Sequence, residues 1–147
     1  MRIEKRQVQD RPLTVIVEYP EWNKSVEGLI NKISKMDITF TGKADDRTVS
    51  VGMSDIYYIE NVERKIFLYT DKEVFRYDRS MTDIESVVSG TELVRISRTC
   101  IMNTAHLKEI RQIRNSHLEA VMDNDEKLIV SRKYLPDIKR IFKGDNV

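Results

Sequence analysis

Two short apolar runs in the last third of this chain each end on a polar side chain that could recognise the edge of a nucleic-acid base. The first, Leu93 to Asn103 (LVRISRTCIMN), ends on an amide, which can donate and accept hydrogen bonds at once. The second, Leu128 to Arg132 (LIVSR), ends on a guanidinium, whose planar fork of donors matches the paired acceptors of guanine in the major groove. This pattern favours base recognition by Asn103 and Arg132.

Cations near both runs are suited to holding phosphates. Arg95, Arg98 and Lys133 lie within or next to them. Residues 93–147 carry eleven Lys or Arg against seven Asp or Glu, whereas the preceding residues carry fourteen against seventeen. The basic surplus therefore coincides with the two polar-ended runs, and this coincidence points to a polyanionic partner.

Two of these side chains have a structural alternative. Arg95 could form a salt bridge within the protein instead of contacting a phosphate. Asn103 could cap the turn that leads into Thr104, Ala105 and His106, as asparagine often does.

Length and composition describe an ordinary globular chain. The 147 residues, of which 33% are charged, suit one domain or one domain with a small appendage. A single cysteine, Cys100, excludes an internal disulfide and fits a reducing cytosol. The first twelve residues (MRIEKRQVQDRP) lack the apolar core of a signal peptide, and no apolar run approaches membrane-spanning length. We expect a cytoplasmic protein.

Residues 1–44 are predicted to form a small β-α-β unit. Leu13–Tyr19 is β-branched and apolar, which is typical of a strand. Between Glu21 and Lys35 the apolar residues recur with the spacing of one helix face, and Ile38–Lys43 alternates as a strand does. No flexible linker follows, so we expect this unit to pack onto the second unit, residues 45–147.

From residue 45 onward, short strands follow one another closely, which predicts a mainly β domain with short helices and an α+β fold overall. One helix is expected to begin at Ser80 and end near Gly90, and another to cover Tyr134–Phe142. The predicted strands are Thr48–Val51, Ile56–Glu60, Ile66–Thr70, Val74–Tyr77, Leu93–Ser97, Leu107–Arg114, Leu118–Met122 and Lys127–Ser131.

Enzyme and metal motifs are missing from the sequence. Two histidines, His106 and His117, and one cysteine are too few for a structural zinc site. The acidic pair Asp45-Asp46 and the triplet at 123–125 suit hairpin turns and lack calcium-loop spacing. There is no glycine-rich phosphate loop, nucleophile elbow or metalloprotease pair. We therefore predict no catalysis, cofactor, metal or small-molecule substrate.

No pair of consecutive helices with a short turn occurs, so DNA recognition would have to use strands or the loops between them. Three ordered blocks then resemble the LytTR family of bacterial DNA-binding domains. They are IYYIENVERKIFLYT at Ile56–Thr70, LVRISRTCIMN at Leu93–Asn103 and EKLIVSRKYLPDIK at Glu126–Lys139. The resemblance covers residues 45–143 or so. The whole chain is similar to short stand-alone LytTR regulators more than to the family's two-component response regulators.

The resemblance implies an elongated arrangement of small antiparallel sheets that places loops, rather than a helix, in the major groove. It implies base contacts from Arg64, Asn103 and Arg132, and phosphate contacts from Lys65 and Arg98. Ser97 departs from the family pattern, because several members have histidine there.

The resemblance also implies partners. They are double-stranded DNA with paired direct-repeat sites, a second copy of the chain in a homodimer, and a regulatory membrane protein. Residues 1–44 would serve dimerisation or signal input. The alternative is a β module that binds another protein and no DNA.

Overall fold

The computed structural model describes residues 1–36, 38–114 and 117–144, with side chains up to residue 140. Over these residues the chain forms short strands and three short helices, in agreement with the mainly β fold that the sequence predicts. The helices are α1 (Lys24–Ser34), α2 (Met81–Val88) and α3 (Leu135–Gly144). The strands are β1 (Thr39–Ala44), β2 (Arg47–Gly52), β3 (Ile56–Val62), β4 (Lys65–Thr70), β5 (Val74–Tyr77), β6 (Leu93–Ser97), β7 (Cys100–Asn103), β8 (Leu107–Gln112), β9 (Leu118–Met122) and β10 (Lys127–Val130).

The strands form two antiparallel sheets. The larger has the order β2-β1-β5-β4-β3-β7-β6, and the smaller has the order β10-β9-β8. Most neighbours in both sheets are joined by tight turns, which is why the strands could be predicted from local alternation and turn residues. Two neighbouring pairs are different: β4, β5, α2 and β6 lie between β3 and β7 in the sequence, and β2, β3 and β4 lie between β1 and β5.

The central part of the larger sheet is buried on both faces. On one face, Ile59 of β3 and Ile101 of β7 pack in a cluster with Ile84 of α2. On the other face, Met102 of β7 packs in a second cluster with Met122 of β9. Successive residues of a strand point to opposite faces, so Ile101 and Met102 belong to different clusters. Strands β3 and β7 therefore bury apolar side chains on both faces, and the smaller sheet packs against the larger one.

Helix α2 begins where its sequence predicts. The Ser80 side chain accepts a hydrogen bond from the Asp83 backbone N–H at 3.1 Å, and the Asp83 carboxylate accepts one from the Ser80 N–H at 3.3 Å. This reciprocal capping box satisfies two backbone donors that a helix otherwise leaves open. Its buried face carries Met81, Ile84 and Val88.

The predicted strand at Leu13–Tyr19 is wrong. These residues have no regular secondary structure, and Leu13 and Ile16 are 98% and 78% exposed. A β-branched apolar sequence becomes a strand only when a neighbouring strand takes up its backbone hydrogen bonds, and this segment pairs with none of the described strands.

The other two elements of the predicted β-α-β unit are present, but they do not form a unit with a sheet of its own. Helix α1 starts at Lys24 because the side chain of Asn23 accepts a hydrogen bond from Val26 N–H at 3.0 Å. Strand β1 pairs with β2, Ala44 lying opposite Arg47, and also with β5. The predicted division between residues 44 and 45 therefore falls within a hairpin of the larger sheet.

Candidate nucleic-acid interface

Two hairpin turns lie side by side at one end of the larger sheet. The β3–β4 turn consists of Glu63 and Arg64, and Arg98 lies in the β6–β7 turn. Strands β3 and β7 are neighbours, and beyond their ladder the Asn61 N–H donates to the Thr99 carbonyl at 2.8 Å. This hydrogen bond places the turn that carries Arg98 beside the base of the hairpin that carries Arg64.

A third loop joins them from the smaller sheet. Strand β10 ends at Val130, and the next residue, Ser131, donates its N–H to the carbonyl of Ile96 in β6 at 2.8 Å. A 3₁₀ turn over Arg132–Tyr134 follows at once. Because Ile96 lies one residue before the end of β6, Arg132 and Arg98 are at the same end of the sheet. We call residues 63–65, 98–99 and 131–133 the three-loop surface.

The tip of the β3–β4 hairpin is tighter than the sequence predicts. The expected loop covered residues 61–65, but the strands continue to Val62 and restart at Lys65. Glu63 and Arg64 have φ values of 51° and 67°. A two-residue turn with positive φ at both positions matches the twist of the strands that it joins, and is usually built from Asn or Gly. Larger side chains here cost conformational energy, which suggests that they serve a purpose other than folding.

The cations of the three-loop surface are exposed. Arg64, Lys65, Arg98, Arg132 and Lys133 all lie on the outside. The ammonium of Lys133 is 5.5 Å from the ring centre of Tyr134, which restrains it by a cation–π contact. In the described residues, no hydrogen bond or ion pair occupies the side chains of Arg64, Lys65 or Arg98. The surface can therefore offer charge-assisted donors to an anionic partner.

The structure places Asn103 away from this surface. Its side chain is only 2% exposed, and the amide nitrogen donates to the Ile56 carbonyl at 2.8 Å. The amide oxygen accepts from the Ala105 N–H at 3.0 Å. Asn103 ends β7, whereas the turn with Arg98 precedes β7, so the two are at opposite ends of that strand. The predicted base contact does not agree with this position, and the capping alternative does.

Arg95 also has a role inside the protein. Its guanidinium lies 2.7 Å from the Glu85 carboxylate of α2, donates to the Ser97 carbonyl at 2.8 Å and also bonds the Arg98 carbonyl. The side chain is 20% exposed. The predicted phosphate contact does not fit an arginine whose donors are used in this way. Arg95 instead holds the β6–β7 turn and ties it to α2.

A groove beside the three-loop surface contains cations that the sequence did not single out. It lies between the β3–β4 hairpin and the connection from β5 to α2, with a volume of about 380 Å³. Its lining includes Arg64, Lys65, Arg76 and Arg79. Arg76 and Arg79 lie outside the polar-ended runs, so only the pairing of β4 with β5 brings them to this end of the sheet.

The Cys100 thiol and the His106 ring are both engaged in packing contacts. Burial raises the pKa of the Cys100 thiol to about 12, so it remains protonated at neutral pH. The His106 ring stacks on Tyr57 with centroids 4.2 Å apart, and its Nε2 lies 2.6 Å from the Ser54 carbonyl. Within the described ranges, no three His, Cys, Asp or Glu side chains are close enough to share a metal ion. None of the helices described there is both long and apolar enough to cross a membrane.

Two packed antiparallel sheets that expose cations from three loops at one end are suited to a domain that binds a polyanion such as a nucleic acid. Residues 46–143 match the model of the LytTr DNA-binding domain family. This match covers about two thirds of the chain, which therefore belongs to that family. The predicted resemblance is confirmed.

Relatives and a solved structure agree with this assignment. The Sensory transduction protein LytT of Enterococcus faecalis is 28% identical over 97 residues, which are 66% of this chain and 40% of that protein. LytT of Bacillus anthracis is 23% identical over 140 residues, covering 92% and 57%. The Transcriptional regulatory protein YpdB of Escherichia coli K12 is 26% identical over 98 residues, covering 66% and 40%.

The chain thus matches between about two fifths and three fifths of the length of these curated relatives. The fold also resembles a solved LytTr DNA-binding domain from Bacillus cereus. The TM-score is 0.67 at 24% identity, with 71% of this chain and 95% of that one covered.

Proposed function

We propose that this chain is a sequence-specific transcription regulator that binds the major groove of double-stranded DNA through the three-loop surface and carries out no catalysis. The observation that supports the proposal most directly is that three loops, distant in sequence, present Arg64, Arg98 and Arg132 at one end of the molecule. Separate loops held by two packed sheets can enter the grooves of a duplex without a recognition helix.

The contacts divide into two kinds. Arg64 and Arg132 are the base-recognising side chains, since a guanidinium can bond O6 and N7 of guanine together. Lys65, Arg98 and Lys133 hold phosphates and so provide affinity that falls as salt rises. We do not propose Asn103 and Arg95 as DNA contacts, because the side chains of both are engaged inside the protein. They act indirectly, by fixing the strands and turns that carry the contact residues.

Selection of bound sites from a random duplex library, followed by salt titration on the selected site and on a scrambled one, tests the proposal. Arg132→Ala is expected to weaken binding to the selected site by about 1–3 kcal/mol and to relax the preference at one base pair. The matched control is Lys72→Ala, an exposed cation in the turn at the other end of β4. If the full chain binds no duplex in a salt-dependent way, the protein-binding β module is the better description.

We also propose that the N-terminal residues 1–44 pair two copies of the chain on direct-repeat sites. The support is that large apolar side chains of these residues are exposed, among them Leu13, Ile16 and Trp22. Two linked domains raise each other's effective concentration on paired sites, so affinity increases without any new base contact.

Replacing Leu13 and Ile16 together by serine tests this role. The variant should sediment as a monomer at concentrations where the parent is a dimer, and should bind a single site normally but a paired site more weakly. A parent chain that remains monomeric both free and on paired sites would assign residues 1–44 another role, such as signal input.

We further propose that the protein acts in the cytoplasm under the control of a membrane-protein partner. This proposal rests on resemblance to short LytTR regulators alone. Fractionation of cells that express the tagged full chain tests it. Recovery with the membrane fraction should depend on a partner encoded in the same cell and should be lost when the chain is expressed in a foreign host.

A further inference from the structure

The groove between the β3–β4 hairpin and the β5–α2 connection is positively charged, and its charge comes from pairing between strands. In the ladder of β4 with β5, Ile66 lies opposite Tyr77 and Phe67 opposite Arg76. Arg79 follows two residues after β5 ends, at the level of the hairpin tip. One wall of the groove therefore carries Arg64 and Lys65, and the other carries Arg76 and Arg79.

One anion, Asp78, lines the same groove, but it is already neutralised. Its carboxylate bonds the ammonium of Lys43 and lies 3.8 Å from Nε of Arg76. The bond with Lys43 is the main cause that lowers the pKa of Asp78, so the carboxylate stays ionised and paired at neutral pH. Among the residues that the structure describes, no such partner occupies Arg64, Lys65 or Arg79. The groove keeps an excess of positive charge.

The N-terminus of α2 opens beside this groove, yet it is not the source of the anion-binding potential. Within its first turn, the Asp83 N–H already donates to the Ser80 side chain, and the Asp83 carboxylate already supplies negative charge there. Any anion in the groove would have to be held by the guanidinium and ammonium groups.

We propose that this groove binds a backbone phosphate of DNA, with Arg79 as the principal contact and Arg76 as a supporting one. The inference rests on the proposed function of the three-loop surface and extends it. A hairpin that inserts Arg64 into the major groove is flanked by the two sugar–phosphate strands. The β5–α2 connection lies on one flank, and its cations meet the phosphates there. Phosphates carry the charge that matches these exposed guanidinium groups.

The experiment is a salt titration of the full-length chain on its selected duplex and on a scrambled duplex. Arg79→Ala should weaken binding equally on both and lower the salt slope by about 0.9. The ratio of parent to variant affinity should accordingly shrink about 3.5-fold between 50 and 200 mM salt. Arg79→Lys should recover most of the slope, because a phosphate contact needs the charge more than the fork.

Lys72→Ala is the control for the loss of one positive charge anywhere on the sheet, and should leave the slope almost unchanged. Ethylation of single phosphates on the selected duplex should identify one phosphate whose modification weakens the parent but not Arg79→Ala. That phosphate should flank the base pair recognised by Arg64.

The outcomes separate this inference from the proposed function. If the parent binds no duplex, the proposed function is wrong, and so is the proposal that the groove binds a DNA phosphate. If the parent binds DNA but Arg79→Ala keeps both its affinity and its slope, the groove holds no phosphate while the three-loop surface stands. A loss restricted to the selected duplex would make Arg79 a base contact. An equal effect of Lys72→Ala would reduce the groove to general charge attraction.

Discussion

The side chain of Asn103 joins the end of β7 to the start of β3, because its amide nitrogen donates to the Ile56 carbonyl at 2.8 Å. Its oxygen holds the Ala105 N–H at 3.0 Å in the turn that leads into β8. One buried amide therefore links two strands of the larger sheet to the first strand of the smaller one. Since the loops of the proposed DNA surface come from both sheets, this link fixes their relative positions from the far end of the molecule.

The first prediction follows from that burial. Asn103→Ala should lower the free energy of unfolding by about 1–3 kcal/mol, because it leaves a buried carbonyl and a backbone N–H without partners. Denaturant titration measures this loss. Asn31→Ala, on the exposed side of α1, is the control and should stay within about 0.5 kcal/mol of the parent. If Asn103→Ala is fully stable but loses preference at one base pair, the amide contacts a base after all.

The second prediction concerns Arg95. Arg95→Met should leave the salt slope of DNA binding within half a unit of the parent, because no phosphate contact is lost. It should reduce stability instead. The coupling with Glu85 should amount to about 0.5–1 kcal/mol in a double-mutant cycle with Glu85→Gln, since both side chains are partly exposed and solvent screens the pair. If Arg95→Met lowers the salt slope of DNA binding by a full unit, Arg95 does contact a phosphate.

Local sequence patterns predicted most elements of the domain, because most of its strands are rich in β-branched and apolar residues and are bounded by turn residues. The capping box at Ser80 and Asp83 likewise shows in the sequence as residue types at a fixed spacing. Arg132 stands out in the sequence because it is the polar end of an apolar run, and it lies two residues after β10 ends. These features depend on neighbours within a few residues, and such neighbours are visible in one sequence.

What could not be predicted depends on contacts between distant residues. Asn103 has the residue type of a base contact, and only the position of Ile56, 47 residues earlier, shows that its amide is used internally. Arg79 lies far in sequence from Arg64 and Lys65, its neighbours across the groove, so no local pattern marks it. The apolar segment at Leu13–Tyr19 has strand propensity but no strand to pair with. In each case, the pairing of distant strands decides the role of the side chain.

The third prediction uses two glycines as a matched pair. A Cβ at Gly42 in β1 would lie 2.7 Å from Cβ of Phe75 and 3.0 Å from Cγ2 of Val51, which is too close. Gly42→Ala should therefore destabilise the protein by about 1–3 kcal/mol. At Gly28 in α1 a Cβ meets nothing within 4 Å, so Gly28→Ala should stabilise the helix by about 0.5–1 kcal/mol. Thermal unfolding of both variants shows whether the stability falls for Gly42→Ala and rises for Gly28→Ala. Equal losses of stability in both variants would show that Gly42 is not closely packed against Phe75.

The fourth prediction concerns alkaline pH. Burial is the main cause that raises the pKa of Tyr58, whose ring stacks on that of Tyr69 at 4.3 Å. The folded state keeps this phenol protonated, whereas the unfolded chain releases the proton near pH 10. Stability should be constant with respect to this group below pH 10 and should fall as the pH rises above it.

Tyr58→Phe should remove part of that alkaline loss, which denaturant titrations at pH 9 and pH 11 can measure. Tyr19→Phe, in the N-terminal segment outside both sheets, is the control for general effects of high pH. The same decrease in all three proteins would show that Tyr58 does not contribute to it.

The last prediction separates folding from recognition at the tip of the β3–β4 hairpin. Arg64 has a φ of 67°, a conformation that costs an ordinary residue about 1–2 kcal/mol and glycine very little. Arg64→Gly should therefore leave the free energy of unfolding unchanged or raise it by up to about 1 kcal/mol, since glycine's extra freedom in the unfolded chain offsets part of the gain. Binding to the selected duplex should nevertheless weaken by about 1–3 kcal/mol, with preference lost at one base pair.

Asp45→Gly is the matched control, because Asp45 has a φ of 54° in the β1–β2 turn at the opposite end of the larger sheet. It should relieve the same kind of strain and leave DNA binding unchanged. The expected result is that Arg64→Gly does not lower stability but weakens DNA binding, whereas Asp45→Gly affects stability alone. This result would show that Arg64 serves recognition although it strains the fold. If Arg64→Gly binds as tightly as the parent, the hairpin tip does not enter the groove, and base recognition must come from Arg132 and its neighbours.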